Sequence, residues 1–198
     1  LSPTALEAAL TEGLDAVVAV HFGGVAVDRR VHKLCADAGV PLIEDAAHAL
    51  GTSDERGLVG GHGTYAACFS FYATKNLMTG EGGMVTTDDD AVAEKARMLR
   101  NHGMKQRYYH DALGFNYRMT DIQAAIGLAQ LQKLPGWNQA RQAYAAFLSE
   151  SLSSVPGVSV PLIRPDATHV FHQYTIRTQR RDWMVQQLAA RGIGTGIY

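Results

Sequence analysis

Short apolar runs and helix-spaced apolar positions take turns along the first hundred residues. Ala16-Val-Val-Ala-Val20 is apolar without alternation, the pattern of a strand buried on both faces. Val27, Val31, Leu34, Cys35 and Ala38 then recur at helical spacing, and Gly39 stands where a helix C′ residue belongs. Val40-Pro-Leu-Ile43 is a second apolar run. Strand, helix and strand in so short a stretch form a βαβ crossover, which requires parallel strands. Further strands are predicted at Ala66–Phe71 and Met84–Thr87. Asp88 or Asp89 can cap a helix carrying Val92, Ala96 and Leu99, closed by Gly103. Thr120-Asp-Ile-Gln123 is a capping box, with Ile122, Ala125, Ile126 and Ala129 on one face of its helix. Pro135-Gly136 breaks that helix, and a second one runs on to about Ser153.

Past Pro156-Gly157 the pattern changes. Val158–Val160 and Val170–Arg177 are predicted strands, and Arg181–Arg191 a helix. The chain is therefore α/β: a mainly parallel sheet in a large domain with its linking helix over 1–153, then the start of a smaller α/β domain over 154–198. No internal repeat or low-complexity tract interrupts it.

Composition narrows the function classes. A formal charge of −1 over 198 residues gives no electrostatic case for nucleic acid or an anionic membrane. Cys35 and Cys68 lie in apolar stretches with no C-x-x-C pairing, which predicts two buried thiols in a reducing compartment. With no signal peptide or membrane-length apolar run, a cytoplasmic location is expected. The chain lacks an initiator Met, starts at a helix-like Leu1-Ser-Pro-Thr and stops at Ile197-Tyr198 in mid-pattern, so it reads as an internal segment.

The chemistry gathers around Lys75. It ends the run Ser70-Phe-Tyr-Ala-Thr-Lys75 just past one predicted strand, and Asp45 closes an earlier one. Ligands of open α/β sheets bind beyond the carboxyl ends of strands, so both can face one crevice. Pyridoxal 5′-phosphate needs an amine for a Schiff base, a carboxylate opposite its pyridine nitrogen and short donors for its phosphate. Each residue alone has a plainer reading. Asp45 can cap the turn Ala46–Ala49, Lys75 can be a solvated surface amine, and Ser70 can face another backbone. His48 can be a satisfied polar residue, and Glu81-Gly82-Gly83 a simple turn. Their joint order and spacing favour the cofactor. Competing motifs fail. Gly60-Gly-His-Gly63 does not lead from a strand straight into a helix, as a dinucleotide fingerprint must. His169 and His172 would point to opposite faces of a strand, a poor zinc pair, and no metal site is expected. No hydrolase nucleophile elbow is present.

With these residues in view, the chain resembles the DegT/DnrJ/EryC1/StrS family of sugar aminotransferases, on the fold type I scaffold of pyridoxal-phosphate enzymes. The matching stretches are Val20-His-Phe-Gly23, Ile43-Glu-Asp-Ala-Ala-His-Ala-Leu-Gly51, Phe69-Ser-Phe-Tyr-Ala-Thr-Lys-Asn76, Thr79-Gly-Glu-Gly-Gly83, Leu99-Arg-Asn-His-Gly103, Leu113-Gly-Phe-Asn-Tyr-Arg-Met119 and Gln123-Ala-Ala-Ile-Gly127. The resemblance implies that Lys75 is the Schiff-base lysine and that Asp45 pairs with the pyridinium nitrogen. It implies that His48 contacts the ring beside its phenolic oxygen, that Ser70 donates to the phosphate, and that Asn116 reaches the phosphate of a neighbouring subunit in a homodimer. The implied substrates are an amino donor, usually glutamate, and a keto-sugar nucleotide. A family dehydratase is the first alternative, although its familiar branch carries His at the position of Lys75. A fragment acting only by association is the second. The resemblance also implies a missing N-terminal portion and the remainder of the small domain, so the segment alone is expected to bind cofactor weakly or not at all.

Overall fold

The computed structural model describes residues 1–61 and 63–198; His62, within Gly60-Gly-His-Gly63, lies outside the described residues. Ser2 caps helix α1 (Pro3–Leu10), its Oγ accepting the Ala5 amide at 3.4 Å, and Pro3 sits in the first turn where its missing N–H costs nothing. Strand β1 (Val17–Val20) runs through a 3-10 turn at Phe22–Gly24 to helix α2 (Arg29–Asp37). Asp28 caps α2 by accepting from the Arg30 amide, and Gly39 ends it at φ +65°, as its position in the pattern predicts. Strand β2 (Leu42–Asp45) lies parallel to β1, with Val17 opposite Leu42 and Val20 opposite Asp45. After a small hairpin of β3 (Ser53–Asp54) and β4 (Gly57–Leu58), strand β5 (Ala66–Ser70) pairs parallel to β2. Strand β6 (Gly83–Thr86) closes the sheet antiparallel to β5, giving the order β1-β2-β5-β6.

The two faces of this sheet differ. Val17, Ala19 and Leu42 are buried against Leu6 of α1 and against Val27, Val31 and Cys35. Val31 is fully enclosed, and burying such a side chain contributes roughly 1.5–3 kcal/mol. Across the pleat Val18, Val20 and Val85 are exposed, and so is Cys68. Among the described residues, the apolar run at Ala16–Val20 is therefore not covered on both sides: α1 and α2 pack on the same face, and Val18 and Val20 on the other stay exposed. The expectation of two buried thiols fails for the same reason. Cys35 is enclosed and Cys68 is not.

Helix α3 (Asp90–Leu99) is capped by Asp89, whose carboxylate accepts from the Ala91 and Val92 amides. Beyond it, β7 (Met104–Gln106) and β8 (Tyr109–His110) form a hairpin. At its base the backbones of Gly103 and Gly114 touch: a Cβ on Gly103 would overlap the Ala112 carbonyl, and one on Gly114 would overlap the Gly103 nitrogen. The capping box opens α4 (Asp121–Leu131) as expected, with Thr120 N–H donating to Gln123 Oε1 at 2.9 Å and Gln123 N–H to Thr120 Oγ1 at 3.3 Å. Helix α5 (Leu134–Leu152) follows after Gln132 and Lys133; Pro135 lies in its first turn, so it starts this helix rather than breaking the previous one.

The C-terminal segment departs from expectation between Val170 and Arg177. Only Arg177–Thr178 is a strand, β10, antiparallel to β9 (Val158–Ser159), before helix α6 (Arg181–Ala189). Residues 168–174 instead dock on the 3-10 turn after β1 and on β3. The Val170 amide donates to Gly24 O at 2.9 Å and the Gln173 amide to Gly23 O at 3.1 Å. Arg141 Nη1 and Gln142 Nε2 of α5 donate to the carbonyls of Phe171 and His169 at 3.0 and 3.1 Å. Gly24 makes this docking possible at φ +105°, since a Cβ there would stand 2.9 Å from Val170 Cγ2. No helix among the described residues is long and apolar enough to cross a membrane.

Candidate active site

Asp45 is the last residue of β2 and points to the uncovered face, in register with Val20 and Cys68. Its Oδ1 accepts the Ala47 amide at 3.0 Å. The plain turn-capping role is thus real, and it fixes the carboxylate at the strand's carboxyl end. The same turn presents His48. There the Gly23 amide donates to His48 Nδ1 at 3.2 Å, so the neutral ring carries its proton on Nε2. Burial pushes the His48 pKa down, the Lys75 cation adds to that, and the Asp45 carboxylate opposes it. One imidazole therefore senses both residues that the sequence brought forward.

Lys75 is reached by a tight exit from β5. Ser70 Oγ accepts the Tyr72 amide at 3.3 Å, and the Lys75 amide donates to Tyr72 O at 2.9 Å. The loop from Phe71 to Gly82 is then closed on itself: Phe71 N–H donates to Gly82 O at 2.9 Å, Thr79 N–H to Phe71 O at 2.8 Å and Thr79 Oγ1 to Glu81 O at 2.7 Å. Gly82 sits at φ +155° with the Thr79 hydroxyl where a Cβ would be. Glu81-Gly82-Gly83 is a turn, and one that only a bare backbone can make.

Asn76, Asn138 and His172 adjoin these residues and were missed by sequence reasoning. Asn76 adjoins Lys75 and is buried. Its Nδ2 donates to Asn138 Oδ1 at 2.9 Å and to Val170 O at 3.0 Å, while Asn138 Nδ2 donates to Leu50 O at 3.1 Å. The loops behind Asp45 and Lys75 are so joined through α5 and the returning C-terminal segment. The adjacency of Asn76 to Lys75 was the one available signal; Asn138, inside a helix among polar residues, gave none.

His172 lies with its ring 4.3 Å from that of His48. His169 is instead stacked on Phe171 at 3.9 Å, its Nδ1 accepting the Phe171 amide at 3.0 Å, and burial holds its pKa at about 4. The two histidines sit outside any strand and have separate partners. Asn116 also stands apart: it is exposed, its Oδ1 accepts from Arg118 Nε at 2.9 Å, and among the described residues it makes no hydrogen bond to Asp45, His48, Ser70 or Lys75.

A second carboxylate lies beside Asp45 in sequence and opposite it in space. Glu44 is buried, accepting at Oε1 from His32 Nε2 at 2.6 Å, with His21 Nε2 3.2 Å away, and at Oε2 from the Gly60 amide at 3.2 Å. His21 Nδ1 accepts the Val27 amide at 3.0 Å, which turns its Nε2–H towards Glu44. Burial pulls the Glu44 pKa up, but the hydrogen bonds and charges of His21 and His32 outweigh it and leave the group at about 2.

A carboxylate at a strand end, a lysine on the loop after the next strand and a serine at that loop's start define the class: an α/β fold of the pyridoxal-phosphate-dependent aminotransferases. The family model for the DegT/DnrJ/EryC1/StrS aminotransferase family matches residues 1–198, and the chain belongs to that family. It is 42% identical over 197 residues to dTDP-3-amino-3,4,6-trideoxy-alpha-D-glucose transaminase of Streptomyces venezuelae, covering 98% of this chain and 52% of that protein. It is 41% identical to the pleiotropic regulatory protein of Geobacillus stearothermophilus, covering all of this chain and 54% of that protein. Among solved structures, S. venezuelae DesV in complex with a ketimine intermediate superposes with a TM-score of 0.93 at 39% identity, over 98% of this chain and 52% of that one. The chain spans about half the length of the curated relatives it matches. Pyridoxal phosphate is the cofactor of this family.

Proposed function

We propose that this chain carries the cofactor and proton-transfer residues of an aminotransferase that moves an amino group, from glutamate, onto a keto-sugar nucleotide in aminosugar biosynthesis. The observation that carries the reading is the convergence of Asp45 and Lys75 on His48, from the turn after β2 and the loop after β5. The residues fit the group. Ser70 Oγ is fixed by the Tyr72 amide and keeps its own proton to donate, the polarity a phosphate oxygen needs. His48 keeps an Nε2–H donor. Asp45 brings a carboxylate that can hold a proton on the pyridine nitrogen.

Pyridoxal phosphate, when bound, supplies a carbonyl that amines condense with and a ring that accepts electrons. The chain's part is acid–base and electrostatic. Lys75 would hold the cofactor covalently through its amine, and that amine, when free, would take up a proton from the substrate carbon and later give one up, as base and then acid. Asp45 stabilises positive charge on the ring nitrogen throughout. Asn116 is the residue for the neighbouring subunit's phosphate in a homodimer, consistent with the exposed surface around it, where Phe115 and Tyr117 stack 5.0 Å apart. Residues 1–153 supply part of the cofactor-binding domain and 154–198 begin the smaller one, in a cytoplasmic enzyme.

The test is borohydride reduction with pyridoxal phosphate, followed by peptide mapping, on the protein at its full natural length with the 198-residue chain alongside. Label on Lys75 that glutamate prevents is the expected result; a folded protein without label on Lys75 overturns the reading. The likeness to a protein named as a regulator supports one second reading, association without catalysis. The same experiment separates the two.

A further inference from the structure

Two imidazoles from distant parts of the chain lie against each other beside Lys75. The His48 and His172 rings are 4.3 Å apart at 31°, with Phe22 edge-on to His48 at 5.9 Å. The proton positions follow from backbone groups whose polarity is fixed. Gly23 N–H can only donate, so His48 Nδ1 is an acceptor. Val170 O can only accept, so the Asn76 atom 3.0 Å from it is the NH2 nitrogen, and Asn76 Oδ1 is the atom facing His172 Nδ1 at 3.3 Å. A carboxamide oxygen accepts, hence His172 Nδ1 is the donor. The two rings carry opposite tautomers: Nε2–H on His48 and Nδ1–H on His172.

We propose that His172 is a positioning residue that holds His48 in its neutral Nε2–H form, so that His48 presents a donor, and no positive charge, beside Asp45 and Lys75. The proposal rests on the cofactor site described above and adds a residue to it. Protonating His48 is opposed twice. A proton on Nδ1 would face the Gly23 N–H, and the His172 ring covers a face that water would need to solvate an imidazolium. His172 is itself tethered: Asn76 holds its Nδ1, and Val170 and Phe171 on the same segment are buried. The charges around the pair are Lys75 and Asp45 near His48, and Lys75 and Arg141 near His172. Burial, with the Lys75 and Arg141 cations and His48 itself, lowers the His172 pKa to about 4, so this ring adds no charge at neutral pH.

The experiment is an imidazole 15N–1H correlation spectrum of the full-length, cofactor-free protein with labelled histidine, followed from about pH 8 to 4, the range in which imidazoles titrate. His48 is expected as Nε2–H and His172 as Nδ1–H at neutral pH. His172→Ala is expected to return the His48 midpoint toward the ordinary imidazole value by about one pH unit, whereas His172→Phe, which keeps a covering ring, holds it down. Asn76→Ala frees His172 and is expected to act like a weaker His172→Ala. An Nδ1–H tautomer on His48 in the unmutated protein overturns the proposal without any variant having to fold, as does a His48 midpoint indifferent to His172→Ala in a folded protein. Borohydride labelling of Lys75 reports separately on the cofactor. Label with the wrong His48 tautomer sinks the pair alone, and the expected tautomers without label uphold the pair while sinking the cofactor reading.

Discussion

Glu44 and Asp45 are neighbours in sequence, of one chemical type, and lie on opposite faces of the same strand. Glu44 faces the covered side, where two imidazoles and an amide meet it; Asp45 faces the uncovered side, where the Ala47 amide is its hydrogen-bond partner. The alternation of a β-strand separates them. It gives the first partners on both oxygens within the fold, whereas among the described residues the second has the Ala47 amide alone.

The contrast breaks most sharply at Glu44. Glu44→Ala strands His21 and His32 in a buried site, and about 3–5 kcal/mol of stability is expected to vanish in chemical denaturation. Asp45→Asn should do the reverse: an unfolding midpoint within about 0.5 kcal/mol of the original, with turnover in the full-length protein lower by about 10²–10³-fold for want of one electrostatic stabiliser.

Acid sharpens the comparison. His169 sits at about 4 against an ordinary 6.5, so the unfolded chain takes up its proton first and stability falls as pH drops from 6.5 towards 4. That shift corresponds to about 3 kcal/mol. Glu44 sits at about 2 against an ordinary 4.5; its contribution is present above pH 4.5 and is lost as pH falls towards 2. Denaturant midpoints measured down this range should decline in two stages, with His172, also at about 4, adding to the upper one; Glu44→Ala should shrink the lower one, to which Asp28, also at about 2, contributes. Val31→Ala on the covered face is expected to cost about 1–3 kcal/mol, against about 0.5 or less for Val18→Ala across the sheet in this chain. The smallest effect is kinetic. Maleimide should label Cys68 before Cys35, yet slowly for an exposed thiol, because burial of the sulfur and the Asp45 carboxylate push the Cys68 pKa up.

Much of this was legible in the chain. Strands β1, β2 and β5 follow from apolar runs, the caps at Asp89 and Thr120 from local chemistry, and Asp45 and Lys75 from their order after strands. These signals are local, and so is what they predict. The open face was not legible, because an apolar strand reads the same whether one layer covers it or two. Nor was the strand expected at Val170–Arg177, where the amides of Val170 and Gln173 go to a distant pair of glycines instead of a neighbouring strand. The link of Asn76 to Asn138 and His172 escaped for the same reason: hydrogen bonds between residues far apart in sequence leave no periodicity.

The contact between Gly103 and Gly114 governs how the segment bearing Asn116 can vary. Because two bare backbones meet at its base, the ring between them is held shut by main chain and owes little to what its side chains touch. Tyr108, Tyr109, Leu113 and Tyr117 are all exposed. Such a loop behaves like a printed frame around a blank page. Its outline is set by main chain, so substitutions at Tyr108, Tyr109 or Leu113 are expected to leave the backbone that leads to Asn116 where it is.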